Sequence, residues 1–231
     1  MRFRCLATDY DGTLAEKGRV ADATREAVAR LVASGCQAVL VTGRLVPDMQ
    51  RVFPELTLFA RVVAENGAVL YDPGSRQTRV LAEPPPRSLV TLLRQSGVGS
   101  LEIGQVIVAT RDKHERAVRQ SVATLGAPLD VIRNKDALMI LPRGVDKATG
   151  LAAAVAELNL SLTETVAIGD AENDAVMLAA CGQGVAVANA LPALKAAADW
   201  VTHAEAGQGV VELIDRLLAE EARGQRPETK G

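Results

Sequence analysis

Short apolar runs alternate along this 231-residue chain with segments of helical periodicity, and this alternation narrows the possible folds more than any other feature. The runs 3–7 and 36–41 are typical of strands buried on both faces, and the segment 22–35 between them has apolar residues at helical spacing. Asp22 is the expected N-cap of that helix, and Gly35 is its expected stop. Strands that alternate with helices predict βαβ units and a mainly parallel sheet.

Two segments depart from this alternation. Residues 62–81 have turn sequences at Asn66-Gly67 and at 72–74, which predict a small antiparallel flap. The run of prolines at 84–86 is a strong breaker, and a compact α+β insert is expected after it. This insert comprises a helix at 87–96, an extended stretch at 100–110, a charged helix at 112–125 and extended pieces at 129–134 and 137–144.

The βα alternation returns at Asp146 and continues to about residue 222, with helices expected at 147–158, 172–180, 191–198 and 208–222. The sequence therefore predicts a discontinuous α/β core formed by residues 1–83 and 145–231, and a smaller unit formed by residues 84–144. The polar tail 224–231 contains Gly and Pro and is expected to be disordered.

Composition excludes several classes of function. Only 3% of the residues are aromatic and the net charge is −2, so neither base stacking nor a basic surface favours nucleic acid or acidic membranes as partners. The three cysteines are widely spaced without a CxxC pattern, which argues against a disulfide framework or a zinc site. No apolar run is long enough for a signal peptide or a membrane span, so a cytoplasmic location is expected.

Polar clusters follow three of the apolar strands. Asp9 and Asp11 follow the first strand, Thr42-Gly43-Arg44 follows the second, and Gly169-Asp170 follows the strand at 165–168, with Asn173 and Asp174 close behind. Ligands of open parallel sheets bind beyond the carboxyl ends of the strands, so these clusters are expected to converge. Two neighbouring carboxylates repel each other, which indicates either a solvated turn or a cation between them.

Lys147 is a fourth element, because it opens a helix, where the helix dipole disfavours positive charge. A bound phosphate would explain this placement. Each cluster by itself also has a plain explanation, as a turn, a loop or an acidic first helical turn. The four together, in this order and at these positions, favour a phosphate and metal site.

These residues resemble the haloacid dehalogenase-like (HAD) hydrolases. The segment DYDGTL at 9–14 is similar to motif I of that family, Thr42 to motif II, Lys147 to motif III and GDAEND at 169–174 to motif IV. The ENGA sequence at 65–68 and the insert between motifs II and III resemble the Cof-type subgroup with a type IIB cap. The resemblance extends to about residue 220 and implies a Rossmann-like core with a small α+β cap.

The resemblance implies a Mg²⁺-dependent phosphomonoester hydrolase that acts through an aspartyl-phosphate intermediate. Asp9 is the implied nucleophile, and Asp11 is the implied acid and base. Thr42, Gly43, Lys147 and Asn173 would bind the phosphate or support that binding. The implied metal ligands are Asp9, the backbone carbonyl of Asp11 and Asp170. Asp174 is implied either as a further ligand or as a support for the other ligands.

Further substrate contacts are expected from loops and from the cap, which would exclude water from the site. The core candidates are Arg44, Asn66 and Asn189. The cap candidates are Arg111, His114, Arg133 and Lys135, of which His114 also fits a solvated helix face. The short cap suggests a small substrate such as phosphoglycolate or a small sugar phosphate, bound by a monomer or a homodimer.

Two other functions stay open at this stage. A phosphomutase would use the same core but return the phosphate to its substrate. A phospho-aspartate signalling module would also group Asp, Thr and Lys at strand ends, although such modules are about half as long and have no cap. The carboxylate at Asp11 argues against a dehalogenase, because a halide leaving group needs no proton.

Overall fold

The computed structural model describes residues 3–224 and contains a large, mainly parallel sheet of eight strands. In chain order, its strands are β1 (Cys5–Asp9), β2 (Gln37–Val41), β3 (Arg61–Ala64), β4 (Val69–Asp72), β5 (Gln77–Val80), β10 (Thr165–Gly169), β11 (Gln183–Ala186) and β12 (Trp200–Val201). The spatial order is β12-β11-β10-β1-β2-β3-β4-β5. The six strands from β12 to β3 are parallel, and β4 and β5 are antiparallel.

Eight α-helices are present in the described part of the chain. They are α1 (Asp22–Ala33), α2 (Val46–Val52), α3 (Ser88–Gln95), α4 (Glu115–Leu125), α5 (Lys147–Glu157), α6 (Ala175–Ala180), α7 (Pro192–Ala197) and α8 (Ala206–Gly224). The helices other than α3 and α4 surround the main sheet, whose central strands β1 and β10 are buried at every residue. Burial on both faces explains why these strands are continuous apolar runs in the sequence.

The segment after the proline run forms a second, antiparallel sheet. It contains β6 (Glu102–Ile103), β7 (Val108–Arg111), β8 (Leu129–Asn134) and β9 (Ala137–Pro142), in the order β6-β7-β9-β8. Helices α3 and α4 pack on this sheet around a separate apolar cluster of residues between 89 and 140. The predicted fold class, an α/β core with a small α+β insert, is confirmed. We refer to this insert as the cap.

Two local predictions need correction, and a third is confirmed. Asp22 is the first residue of α1 and not its N-cap; the N-cap is Ala21, and the Asp22 side chain pairs with Arg25 one turn later. The predicted antiparallel flap is present as β3, β4 and β5, and β4 and β5 extend the main sheet beyond β3. The stretch 100–110 is not one extended piece: the chain reverses at 104–107, between β6 and β7.

Other boundaries differ slightly. The last helix begins at Ala206, and residues 172–174 form a 3₁₀ turn before α6. From residue 225 onward, the tail that is predicted to be disordered lies outside the described residues.

Candidate active site

Strand register brings the three predicted clusters to one edge of the main sheet. Asp9, the last residue of β1, lies opposite Val41, and Thr42 follows directly. On the other side, the register of β1 with β10 places the end of β10, and Asp170 after it, beside Asp9. The carboxyl ends of these parallel strands therefore form a single polar site, as the sequence predicts.

A buried acidic cluster lies at this edge. Asp9, Asp170 and Asp174 each offer one carboxylate oxygen, and these three oxygens lie within 4.8 Å of one another. Burial raises the pKa of Asp9, although the nearby Lys147 opposes this effect. Burial also raises the pKa of Asp170, and the hydrogen bond from Lys135 opposes it. Three carboxylates so close together require positive charge nearby.

Lys147 supplies part of that charge from the first turn of α5. Asp146 caps this helix in a reciprocal capping box with Thr149, which fixes where the helix begins. The buried Lys147 Nζ donates to Asp9 Oδ1 at 2.5 Å and to Asp174 Oδ1 at 2.6 Å. Burial alone would lower the pKa of Lys147, but Asp174 and Asp9 raise it above its ordinary value. The ammonium therefore stays charged despite the helix dipole.

Lys135, from the turn between β8 and β9 of the cap, supplies a second positive charge. Its Nζ donates to Asp170 Oδ2 at 2.6 Å, and its backbone N–H donates to Glu172. The acidic cluster thus holds three carboxylates against two ammonium groups. An all-oxygen set with excess negative charge is the donor set that a hard divalent cation prefers. The three carboxylates fit a metal ion.

Asp174 already uses both of its carboxylate oxygens on protein donors. Oδ1 accepts from Lys147, and Oδ2 accepts from the backbone N–H groups of Asp170 and Ala171, each at 2.9 Å. Gly169 permits this approach, because a Cβ there would lie 2.5 Å from the Asp174 side chain. Asp174 thereby fixes the loop that carries Asp170.

Asp11 points away from the acidic cluster and pairs with Arg44. The guanidinium donates from Nε at 2.6 Å and from Nη2 at 2.7 Å to the two Asp11 oxygens. Both side chains are partly exposed and lie in a cleft of about 350 Å³ between the core and the cap. The cleft is lined by Asp9, Asp11, Gly43, Arg44, Asp48, Glu102, Ala109, Arg111, Asn134, Asp136, Ala137 and Met139.

Several other predicted residues lie elsewhere. Asn173 Nδ2 donates to Asn66 Oδ1 at 2.8 Å, and both side chains line a different cleft beside α4 and β8. Among residues 3–224, neither Asn66 Nδ2 nor Asn173 Oδ1 has a hydrogen-bond partner. Asn189 joins two loops by donating to the Gly12 carbonyl and accepting from the Ala206 N–H. His114 ends a 3₁₀ turn before α4 and is not among the residues that line the 350 Å³ cleft.

Two cap candidates have ionic partners within the cap. Arg111 donates to Asp136 at 2.5 Å while lining the cleft, and Arg133 pairs with Asp112 and Glu115. Sequence reasoning missed Asp48, Glu102 and Met139 as cleft residues. No local motif marks them, since only the docking of the cap on the core brings them to the cleft.

The fold and the site define a capped α/β protein, with a buried acidic cluster at the carboxyl edge of a parallel sheet and a cap inserted after the first part of the core. The sequence matches the haloacid dehalogenase-like hydrolase family over residues 6–94 and 99–214, and the chain belongs to that family. The family resemblance found in the sequence is confirmed.

Relatives and solved structures agree with this assignment. The chain is 30% identical to a phosphoglycolate phosphatase of Methanoculleus marisnigri, over 93% of this chain and 96% of that protein. It is 33% identical to a phosphoglycolate phosphatase of Natronomonas pharaonis, over 91% and 96% respectively. The fold matches that of the HAD subclass IIB sugar phosphatase BT4131 with a TM-score of 0.77, at 19% identity, over 93% of this chain and 98% of that one.

Within residues 3–224, no helix combines the length and the apolar character needed to cross a membrane.

Proposed function

We propose that this protein is a phosphatase that hydrolyses small phosphomonoesters, with Asp9 as the nucleophile. One observation carries the proposal: the buried Asp9 carboxylate lies at the floor of the cleft, in contact with Lys147 and beside Asp170 and Asp174. A carboxylate held in this way attacks the phosphorus atom and forms an aspartyl-phosphate, while the alcohol leaves. Water then attacks the same phosphorus atom, releases inorganic phosphate and regenerates Asp9.

The remaining core residues bind the phosphoryl group. Phosphoryl transfer spreads negative charge over three oxygens, so catalysis depends on fixed positive groups and hydrogen-bond donors. The Lys147 ammonium, the Thr42 hydroxyl and the Gly43 backbone N–H supply these. Asn173 supports them indirectly, because it donates to Asn66, whose backbone N–H donates to the Thr42 carbonyl.

Asp11 acts as the general acid and base. It lies two residues beyond Asp9, lines the same cleft and is partly exposed, so it can exchange protons with the leaving oxygen and later with water. Arg44 holds its carboxylate in one orientation through two hydrogen bonds. The same guanidinium lies within reach of a substrate in the cleft.

Mg²⁺ is the proposed cofactor, held by Asp9, Asp170 and the Asp11 backbone carbonyl, with Asp174 behind them. When bound, it neutralises charge between the nucleophile and the phosphate and thereby lets two anions approach. This assignment rests on the all-oxygen donor set and on the excess negative charge of the acidic cluster.

The proposed substrate class is small and anionic, with phosphoglycolate first among its members. The cleft of about 350 Å³ is at the small end for ligand sites, and two arginines, Arg44 and Arg111, line it. A guanidinium binds a carboxylate through paired hydrogen bonds. The names of the two relatives reported above agree with this class.

The test is a measurement of phosphate release from a panel of phosphomonoesters with and without Mg²⁺. The panel contains phosphoglycolate, small sugar phosphates, larger sugar phosphates and a nucleotide. We expect Mg²⁺-dependent release that is fastest with the small anionic esters. Transfer of the phosphate to a second position of the substrate, without release, would contradict hydrolysis and favour a mutase.

We also propose a cytoplasmic location. Cys5, Cys36 and Cys181 are free thiols, which suits a reducing compartment. The proposal is tested by fractionation of the native cells: recovery of the protein with the periplasmic or membrane fraction would overturn it.

A further inference from the structure

Glu65, the first residue of the ENGA sequence, joins the core to the cap through a set of hydrogen bonds to its carboxylate. Its carboxylate is buried and accepts three backbone N–H groups from the turn between β6 and β7 of the cap. Oε1 accepts from Gln105 at 2.9 Å, and Oε2 accepts from Val106 at 2.8 Å and from Ile107 at 2.9 Å. Such charge-assisted bonds are among the stronger hydrogen bonds in proteins.

The turn of the cap is shaped to receive this carboxylate. Gly104 begins the turn, and a Cβ at that position would lie 2.5 Å from the Glu65 carboxylate. The Gly104 N–H donates to the Ile107 carbonyl at 2.9 Å, which closes the reversal. Consecutive backbone N–H groups directed at one point form an anion-binding concavity. The side chains of Val106 and Ile107 belong to the apolar cluster of the core, so the turn is inserted into the core.

The backbone around Glu65 is strained, which indicates that its position is imposed by these contacts. Glu65 and Asn66 have φ of 52° and 56°, and Gly67 follows with φ of 111°. Residues with a Cβ rarely adopt this left-handed conformation, because the Cβ comes too close to the following carbonyl oxygen. Such strain persists where surrounding contacts determine the geometry and is concentrated at functional sites.

The backbone of Glu65 is also tied to the candidate phosphate-binding loop. The Glu65 N–H donates to the Arg44 carbonyl at 3.0 Å, and the Asn66 N–H donates to the Thr42 carbonyl at 2.9 Å. The hairpin β6–β7 held by the Glu65 side chain carries Glu102 and Arg111, which line the cleft. One residue therefore connects the loop 42–44 with the cap residues that face the substrate.

We propose that Glu65 is a positioning residue that fixes the β6–β7 hairpin, and with it Arg111 and Glu102, over the candidate active site. It acts through the backbone of the cap turn and does not touch the reacting atoms. The part of the proposal that concerns substrate binding rests on the proposed phosphatase function. The part that concerns the cap turn does not, and the two are measured separately.

The first experiment measures hydrogen exchange of the backbone amides of 105–107 in Glu65→Ala and Glu65→Gln. Glu65→Ala removes the acceptor of all three amides, so we expect their exchange to accelerate about tenfold or more. Glu65→Gln retains one acceptor oxygen, so a smaller acceleration is expected. The matched control is Glu172→Ala, which removes an exposed core carboxylate that accepts a different cap amide, that of Lys135. It should leave the amides of 105–107 unchanged.

Gly104→Ala disrupts the same contact from the cap side. The added Cβ would displace the turn from Glu65, so the same amides should exchange faster than in the wild type. In the Glu65→Ala background the further change should be small, because the two substitutions break the same contact. Unchanged exchange at 105–107 in Glu65→Ala, equal acceleration throughout the chain, or additive effects of the two substitutions would overturn the proposal.

The second experiment measures kcat and KM for the best phosphomonoester of the panel. Glu65→Ala should raise KM about tenfold while kcat changes less, because Asp9 and Lys147 are untouched and the N–H bond to Arg44 remains. Glu65→Gln should recover part of this loss. An unchanged KM alongside accelerated exchange would overturn the positioning role. If the wild type releases no phosphate from any ester, the proposed function fails, and the exchange data still decide whether Glu65 holds the turn.

Discussion

Lys147 shows how one side chain can be required both for folding and for the proposed chemistry. Its ammonium is buried between Asp9 and Asp174, at 2.5 and 2.6 Å. A buried charge that loses its partner is much more costly than an exposed one. Removal of the Lys147 ammonium should therefore cost more stability than neutralisation of Asp9, which leaves Lys147 paired with Asp174.

Lys147→Met should destabilise the fold by about 3–5 kcal/mol, because it leaves buried carboxylates without their cation. Urea unfolding in the presence of a chelator measures this change. Lys135→Met is the matched control: its ammonium also contacts the acidic cluster, but the side chain is 44% exposed. Its effect should be smaller, because water solvates the Lys135 end of this pair, although Asp170 is buried. Equal losses of stability in the two variants would contradict the difference in burial.

Asp9→Asn should abolish phosphate release, by about 10³-fold or more, because an amide is not a nucleophile toward phosphorus. The fold should remain, since Asp174 still pairs with Lys147 and one of three crowded carboxylates is neutralised. Circular dichroism and the thermal midpoint check the fold. Asp215→Asn, on the surface of α8 in an exposed pair with Arg30, is the control for activity. A fully active Asp9→Asn protein would exclude the covalent mechanism.

At the scale of elements, the turn Glu65–Gly67 and helix α5 hold each other in place. A Cβ on Gly67 would lie 1.9 Å from the Asp146 carbonyl oxygen, and a Cβ on Gly150 would lie 2.5 Å from the Gly67 Cα. The start of α5, and thus Lys147, packs directly on this turn. Both glycines are required by close backbone approach, and Gly67 is also required by its positive φ.

Gly67→Ala should cost about 2–4 kcal/mol, from a positive φ together with a backbone clash. Thermal or urea unfolding measures the loss. Gly97→Ala separates the two causes, because Gly97 has φ of 79° but nothing within 4 Å of its added Cβ. That control should cost only about 1 kcal/mol. A similar loss at both glycines would mean that the contact with Asp146 has little importance.

Glu157, the last residue of α5, joins the helix to two strands. It accepts from Arg61 of β3 and Arg79 of β5, each at 2.8 Å. The hydrogen bond from Arg61, followed by that from Arg79, lowers the pKa of Glu157 below its ordinary value of 4.5. A carboxyl whose pKa is lowered by folding stabilises the protein fully above pH 4.5 and loses that contribution as the pH falls through its folded pKa.

Glu157→Gln should therefore lower the free energy of unfolding by about 0.5–1 kcal/mol at pH 7, since the groups are partly exposed and screened. The difference from the wild type should shrink below pH 4.5. Urea titrations at several pH values measure it, with Glu26→Gln on the exposed side of α1 as the control. A difference that is constant between pH 7 and pH 3.5 would show that the ion pairs are not its cause.

At the scale of the whole molecule, the excess negative charge of the acidic cluster should link folding to metal binding. A ligand that binds only the folded state stabilises it according to its concentration relative to Kd. At a hundredfold excess over Kd this amounts to about 2.7 kcal/mol. The protein should therefore be more stable with Mg²⁺ than in a chelator.

We expect millimolar Mg²⁺ to raise the thermal midpoint of the wild type by about 5–10 °C. Asp170→Asn should shift much less, because it removes a proposed ligand. Calorimetry measures both proteins, with NaCl at matched ionic strength as the control for screening. An equal shift in the two proteins would argue against a metal ion at Asp170.

Much of this fold was predictable because its signals are local. Strands buried on both faces must be apolar along their whole length, so β1, β2 and β10 are visible as short runs. The capping box at Asp146 and the prolines that end the first part of the core are also local. The prediction that Asp22 is the N-cap of α1 was wrong, because an acidic residue suits both the N-cap and the first turn of a helix. Only the backbone conformation distinguishes the two positions.

The sequence by itself determined the α/β class with its small insert, and the convergence of Asp9, Thr42 and Asp170 at one sheet edge. Strand ends meet wherever parallel strands pair, so order along the chain was sufficient. Only the tertiary structure decided the contacts of Glu65 with the cap turn and of Lys135 with Asp170. These contacts join residues about 40 positions apart that share no periodicity, and they exist because the cap docks on the core.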